Sequence, residues 1–243
     1  MSKTLVSDPG ALSQDIFSTT TAQGHPLGTR ATDGQGQVYR YVKAGAADLV
    51  VGNVIQAPAQ ITTHDQLTPA AAEIGAYQIT VTLDITNAVV ADQYKEGFAV
   101  IDTTPGLGYA YPIKSHPAAA ASAAVVLTLE RPIQVALTTS SRVTLVPNRF
   151  KGVIQSPITT LTGAVVGVAV APIPAGKFGW IGTGGTLATL IAGTPAVGAA
   201  VVVPGTAAGC VVVDGAAAAT EVVGAMMVTG VDGKVLPVRW YER

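Results

Sequence analysis

Three histidines and one cysteine are the side chains of this protein best suited to metal binding or nucleophilic chemistry. His25, His64 and His116 lie far apart, whereas a zinc or iron site needs several His, Cys, Asp or Glu side chains at one point. Only His64 has an acidic neighbour, Asp65, and such a pair in a threonine-rich loop is typical of surface or turn chemistry. Cys210 precedes a run of valines, which favours a small buried residue over a reactive thiol. We therefore expect no metal site.

The short motifs for nucleophilic catalysis and phosphate binding fail on their spacing. Ser115 and His116 are adjacent, so in a strand their side chains point to opposite faces and cannot act on each other. Residues 34–36 read Gly-Gln-Gly but lack the third glycine of a dinucleotide-binding fingerprint. Lys177 follows a glycine, but Ala171 stands where the first glycine of a phosphate-binding loop would be.

The two tryptophans, Trp180 and Trp240, are the best candidates for a sugar-stacking platform. A glycosidase also needs two carboxylates flanking the scissile bond, and none of the fifteen scattered acidic residues forms an evident pair. Trp180 precedes a glycine-rich turn, which favours a core anchor, with an interface anchor as the alternative. We expect no cofactor and no enzymatic activity.

The composition describes a weakly charged chain with a core of small side chains. Charged residues make up 12% of the 243 residues and hydrophobic residues 49%, with a mean hydropathy of +0.44. Aromatic residues reach only 5%, which suits tightly packed sheets better than deep ligand pockets. The formal net charge of −1 produces no long-range field, so neither nucleic acid nor a membrane is an expected partner. Arg142, Arg149 and Lys151 are close in sequence and could still form a local basic patch.

The segment 152–213 carries one charged residue, Lys177, in sixty-two positions. Glycine and proline interrupt it too often for a membrane helix, which needs about 20 consecutive apolar residues. A soluble surface normally carries charges of both signs, so an apolar, nearly uncharged segment indicates that other protein covers it. We expect part of that cover to come from other subunits.

The first third of the chain predicts an arm followed by a hairpin segment. Residues 1–30 lack hydrophobic periodicity and predict an extended arm, of the kind that lies on a neighbouring subunit; a disordered terminus is the alternative. Residues 31–75 predict a β-hairpin segment with strands at 37–43 and 49–56. Within it, Thr68 followed by proline and three alanines predicts a short helix that ends at Gly75.

The rest of the chain predicts two β modules. Residues 76–151 form a central β module, in which 77–85 alternates cleanly; further strands are predicted at 97–102, 109–115, 124–129 and 142–146. Residues 152–243 form a C-terminal β-barrel module whose continuous apolar runs indicate strands covered on both faces: 164–171, 199–203, 211–213 and 221–229. Glycine-rich segments such as 182–185 are predicted to separate these strands. The predicted fold is mainly β, with β-barrel or β-sandwich modules, an extended N-terminal arm and at most one or two short helices.

Several passages resemble structural proteins of tailed-bacteriophage heads. The run from Lys114 to Ser122, with 143–148 and 152–153, is similar to uncharacterised virion proteins of cyanobacterial and marine phages. Glycine turns around valine-rich strands resemble capsid decoration, or cement, proteins: Tyr41-Val42-x-Ala44-Gly45, Gly52-Asn53-Val54, Gly167-Val168-Ala169 and Ala175-Gly176-x-x-Gly179-Trp180-Ile181.

The resemblance implies a structural virion protein that sits on the outer surface of a phage head and clamps neighbouring capsomers. Its expected partners are the major capsid protein and further copies of itself, with a trimer favoured. Its expected location is the capsid surface of a virion assembled in the host cytoplasm, which the lack of an apolar secretory signal after Met1 also favours. The resemblance further implies that residues 30–60 complete the C-terminal barrel and that 76–150 form an inserted β module.

The sequence offers five candidates for the partner interface: Lys177, Phe178, Trp180, Arg142 and Arg149. Two alternative functions stay open. One is a tail, baseplate or head-fibre component of a phage. The other is a β-sandwich glycan-binding module or glycan-active enzyme, which would need an open cleft that holds a tryptophan beside two carboxylates.

Overall fold

A computed structural model describes residues 5–7, 10–12, 15–158, 160–203, 206–213, 215 and 221–242. These residues contain no α-helix and one short 3-10 helix, Thr62–His64, so the predicted mainly β fold is confirmed. The chain divides into two compact units. We call Met1–Ala59 with Arg149–Arg243 the barrel unit, and Gln60–Asn148 the inserted unit.

The strands of the barrel unit come from both ends of the chain. Its first five are β1 (Leu5–Ser7), β2 (Gly10–Leu12), β3 (Arg30–Thr32), β4 (Val38–Ala44) and β5 (Val54–Gln56). The inserted unit supplies β6 to β11, given below. The remaining strands of the barrel unit are β12 (Lys151–Gln155), β13 (Val165–Ala169), β14 (Phe178–Leu190), β15 (Ala200–Val203), β16 (Val212–Val213), β17 (Glu221–Met226) and β18 (Val235–Trp240).

Five of these strands close into a barrel in the cyclic order β4, β14, β13, β5, β12. Four of the five neighbouring pairs are antiparallel, and the pair of β12 with β4 is parallel. A ring with an odd number of strands cannot alternate direction throughout, so closure requires at least one parallel pair. Here that pair joins a strand from the first part of the chain to one that follows the inserted unit.

Strand β14 belongs to two sheets. Its first half pairs with β4 and β13 in the barrel, and its second half, Gly185 to Leu190, pairs with β18. Strands β18, β17, β15 and β16 continue this second, antiparallel sheet. The predicted turn at 182–185 is therefore wrong, because these residues lie inside the longest strand of the chain. Gly185 has a φ of +87°, which only glycine adopts easily, and a Cβ there would lie 2.6 Å from the Gly36 carbonyl oxygen.

The barrel unit has two main hydrophobic clusters. One contains Trp180, Tyr39 and Tyr41 with residues of the N-terminal segment, including Ile16. The other lies between β5, β13 and the second sheet and consists mainly of valines, with Leu187 and others. All five residues of β13 are buried, as the continuous apolar run predicts.

The N-terminal segment 15–29 consists of turns and loop and lies on the barrel of its own chain. Ile16 and Leu27 are buried in the barrel cluster, and Thr20 forms a bridge with Phe178. The backbone N–H of Gly24 donates to the hydroxyl of Tyr41 over 3.0 Å. The predicted arm covers residues 1–30, part of which lies outside the described residues; the surface that residues 15–29 cover belongs to the same chain.

The inserted unit is an antiparallel sheet in the order β11, β8, β9, β10, β7, β6. Its strands are β6 (Thr68–Pro69), β7 (Gln78–Thr82), β8 (Phe98–Thr103), β9 (Ala110–Ser115), β10 (Ala124–Leu129) and β11 (Arg142–Val146). Leu67 and Val143 exchange two backbone hydrogen bonds of 2.9 Å, which join the two ends of the sheet. Ile79, Val81 and Leu83 are buried as the alternation predicts, while Tyr77 and Ile85 at its ends are exposed.

Two further local predictions are wrong. Thr68–Pro69 is a short strand paired with β7, so the alanine segment after it extends along the sheet and forms no helix. The predicted hairpin of 37–43 with 49–56 does not form, because β12 lies between β4 and β5. Strand β4 instead forms a hairpin with β3.

Candidate interaction surface

Phe178 begins β14 and Lys177 directly precedes it; both contact the N-terminal segment of their own chain. Phe178 exchanges two backbone hydrogen bonds of 2.9 Å with Thr20, and the Lys177 ammonium donates to the Thr21 hydroxyl over 2.9 Å. The Phe178 side chain is buried, with the ammonium of Lys43 5.4 Å from its ring centroid. At the start of β14, residues 15–29 of the same chain therefore supply cover that the sequence assigns to a partner.

Trp180 lies in the core. Its side chain has no exposed area, and its ring centroid lies 5.2 Å from that of Tyr41 and 5.6 Å from that of His25. This arrangement corrects its choice as an interface candidate, because a side chain without surface cannot contact a partner. Trp240 is also buried and donates from Nε1 to the Thr189 hydroxyl over 2.9 Å.

Arg142 and Arg149 are close in sequence but belong to different units. Arg142 lies in β11 of the inserted unit, where Nη1 donates to the carbonyl oxygens of Thr139 and Ser141 over 2.8 Å each. Arg149 opens the second part of the barrel unit and is exposed, with its guanidinium carbon 4.8 Å from the centroid of the Phe150 ring.

Arg149 has two basic neighbours that the sequence analysis missed. Arg30 and Arg40 face each other across β3 and β4, and the charges of Arg149 and Arg30 both act on Arg40. Arg30 forms a salt bridge with Glu242, with distances of 2.7 and 3.2 Å from Nε and Nη2. We call Arg30, Arg40 and Arg149 the arginine cluster. No local pattern could reveal it, because strand register brings its members together.

A second surface feature is a set of exposed apolar side chains on the barrel unit. Phe17 and Val51 line a groove whose other walls include Thr186 and Ala188 of β14. Val235 lies next to Gly52, and Met227 accepts a weak hydrogen bond at its sulfur from the Thr186 hydroxyl. We define the apolar face by four residues that are each between 41% and 55% exposed: Phe17, Val51, Met227 and Val235.

The histidines of the inserted unit form a buried polar network. His64 Nδ1 lies 2.5 Å from the Tyr94 hydroxyl, and the Tyr94 backbone N–H donates to His116 Nε2 over 2.9 Å. Because a backbone N–H can only donate, Nε2 of His116 must be unprotonated. The proton of the His116 ring is therefore on Nδ1, which donates to the Pro117 carbonyl over 2.8 Å. Burial, then the charge of Asp65, raises the pKa of Tyr94. With all three rings buried, we assign this network to loop anchoring.

The His64-Asp65 pair does not act as a unit. The Asp65 carboxylate accepts from the side-chain amide of Gln60, at 2.8 Å to each oxygen, while the His64 ring points inward to Tyr94.

The prediction for Cys210 is confirmed: its thiol is buried and donates to the Ala207 carbonyl over 2.8 Å. Burial raises the pKa of this thiol, which disfavours the reactive thiolate.

The described part of the chain has neither a cluster of metal ligands nor a long apolar helix. Within the ranges given above, no three His, Cys, Asp or Glu side chains converge as a metal site would require. Those same residues contain no helix of the length and hydropathy that crossing a membrane would need.

Comparisons with known proteins add no family assignment. No protein-family model matches this chain, and neither a curated protein sequence nor a solved structure matches it.

Proposed function

We propose that this protein is a non-enzymatic structural component of a phage virion. In this role it binds the outer surface of the head as a cement protein and stabilises contacts between capsomers. The observation that carries the proposal is the apolar face of the barrel unit. Four large apolar side chains near one groove are costly to leave in water, and burial against protein recovers about 25 cal/mol per Å² of apolar area.

The occupant that we assign to the apolar face is a second copy of this chain, within a trimer that docks on the major capsid protein. The self-association is favoured by the neutral composition, since a net charge of −1 opposes it only weakly. A standard interface removes roughly 1,600 Å² from water, so one apolar face on each copy would supply the centre of such a contact.

The two alternatives differ in support. The glycan-binding alternative needs an accessible tryptophan, and both Trp180 and Trp240 are buried. A tail, baseplate or head-fibre component would use the same kind of apolar contact, so only the assembly formed separates it from a cement protein. Purified protein that adds to preformed heads supports the cement role, whereas protein that forms tubes or binds only tails supports the alternative.

The direct test of self-association uses light scattering of the purified chain at micromolar concentration. We expect an oligomer for the natural sequence and a monomer for Val51→Glu, which places a charge in the apolar face. Ile85→Glu is the matched control, since Ile85 is 79% exposed but belongs to the inserted unit. A natural sequence that is strictly monomeric, or a control that dissociates equally, contradicts the proposal.

A further inference from the structure

In the arginine cluster, the pairing of β3 with β4 places two positive charges opposite each other. Arg30 and Arg40 are directly opposite partners of β3 and β4. Side chains in such positions share one face, with Cβ atoms roughly 4.5–5.5 Å apart, and equal charges there destabilise the pair. Arg149 adds a third positive charge that acts on Arg40.

Packing holds this cluster in place. The guanidinium carbons of Arg149 and Arg40 lie 4.8 and 6.0 Å from the centroid of the Phe150 ring. Phe150 in turn lies against Gly28, where an added Cβ would be 2.7 Å from a ring carbon and where φ is +85°. Arg40 Nη1 also donates to the Gly28 carbonyl over 3.0 Å. A ring that orders two guanidinium groups leaves them preorganised for a ligand.

The charges of the cluster are only partly balanced. Glu242 takes two donors of Arg30, while Arg40 Nε is buried and has no hydrogen-bond partner in the protein. Burial is the main cause that lowers the pKa of Arg40, followed by the charge of Arg149; Glu242 opposes both. Among the described residues, neither Arg40 nor Arg149 forms a salt bridge, so two of the three guanidinium groups lack a paired carboxylate.

We propose that the arginine cluster binds an aspartate or glutamate side chain of a partner protein. Glu242 shows the mode, since its carboxylate already takes two parallel donors from one arginine. A nucleic acid is less suitable, because its backbone is held by many charges along an extended surface and three arginines at one point do not provide that. This inference holds whether or not the chain has the virion role proposed above.

The test measures binding of fluorescein-labelled hexaglutamate to the full chain by fluorescence anisotropy, at an ionic strength of about 20 mM, where screening is weak. We expect Arg149→Gln to weaken binding by about fivefold or more, since Arg149 is exposed and its loss leaves the fold intact. Arg239→Gln is the control, because Arg239 is an exposed arginine of the same unit. Its affinity should change by less than about twofold.

Two further measurements decide between outcomes. Glu242→Gln should strengthen hexaglutamate binding, because it removes the negative charge of Glu242 beside the cluster. A labelled oligothymidine of equal charge tests the phosphate alternative. The proposal is overturned if the natural sequence does not bind hexaglutamate, if Arg239→Gln weakens it as much as Arg149→Gln, or if oligothymidine binds more tightly and depends on Arg149.

Discussion

The inserted unit and the barrel unit bury their strands in different ways. In the inserted unit, β7 alternates exposed and buried residues, because one of its faces lies on the core and the other faces solvent. In the barrel unit, β13 is buried at every position, because both its faces are covered by protein. The spacing of hydrophobic residues therefore indicates whether one or both faces of a strand are covered. It locates the ends of a strand well only when a single face is covered.

The two units also differ in how they treat buried polar groups. In the inserted unit, His64, Tyr94 and His116 share hydrogen bonds. Among the residues that the structure describes, the four buried polar side-chain atoms without a hydrogen-bond partner all lie in the barrel unit: Arg40 Nε, Gln56 Oε1, Ser156 Oγ and Trp180 Nε1. Each unsatisfied buried group costs about 1–3 kcal/mol. In the barrel unit, hydrophobic packing must offset this cost.

The largest expected effect comes from Trp180→Ala, which removes the largest fully buried side chain of the barrel unit. We expect a loss of about 3–5 kcal/mol in the free energy of unfolding. Peptide-resolved hydrogen exchange should show faster exchange in β4 and β14 and unchanged exchange in β7 and β10. Equal acceleration in both units would show that the comparison drawn here does not extend to their stabilities.

A somewhat smaller effect is expected from Gly167→Ala in β13. The new Cβ would lie 2.2 Å from the Gly182 carbonyl oxygen, and φ there is +155°, so main chain must move. We expect a cost of about 3 kcal/mol by denaturant unfolding. Gly108→Ala in the inserted unit has open space around its Cβ and only a positive φ of +88°, so it should cost about 1 kcal/mol. Similar costs for both would mean that close packing does not explain the glycines of the barrel.

The polar network of the inserted unit is tested by Tyr94→Phe. Removing the hydroxyl leaves His64 Nδ1 buried without its partner, which should cost about 1–2 kcal/mol. In hydrogen exchange, the amides of β9 and β10 should lose protection, while those of β13 and β14 should keep it. The control is Tyr77→Phe, an exposed tyrosine of the same unit, for which we expect no measurable change. A stabilised Tyr94→Phe would contradict the anchoring role.

The smallest effect is expected at the exposed pair of Arg30 and Glu242. The hydrogen bond from Arg30 lowers the pKa of Glu242, so its contribution is present above the usual carboxylate pKa of about 4.3 and is lost as pH falls through the folded value. Both side chains are more than a third exposed, so screening limits it to a few tenths of a kcal/mol. The Tm of Glu242→Gln should be slightly below that of the natural sequence at pH 7, and the two Tm values should agree near pH 3. A difference that grows at low pH would reverse the assigned sign.

Parts of the candidate surfaces were within reach of the sequence. Of the interface candidates named from the sequence, Arg149 is exposed and its charge acts on Arg40, whereas Phe178 is buried. Arg30 and Glu242 could not be found, because 212 positions separate them and only the pairing of β3 with β4, β4 with β14 and β14 with β18 brings them together. The exposed side chains of Phe17 and Val51 carry no pattern that distinguishes them from core residues.

The sequence by itself determined the mainly β class, the positions of strands β7 to β11 and the buried state of Cys210, because each depends on local periodicity or on a residue and its neighbours. Only the tertiary structure decided the closure of the barrel, the parallel pair of β4 with β12 and the continuity of β14 through 182–185. In a single sequence, a glycine that permits close approach of two strands looks the same as a glycine that makes a turn. The difference is the backbone on the other side of the contact, as at Gly167 and Gly182, and that backbone is placed by pairing between distant parts of the chain.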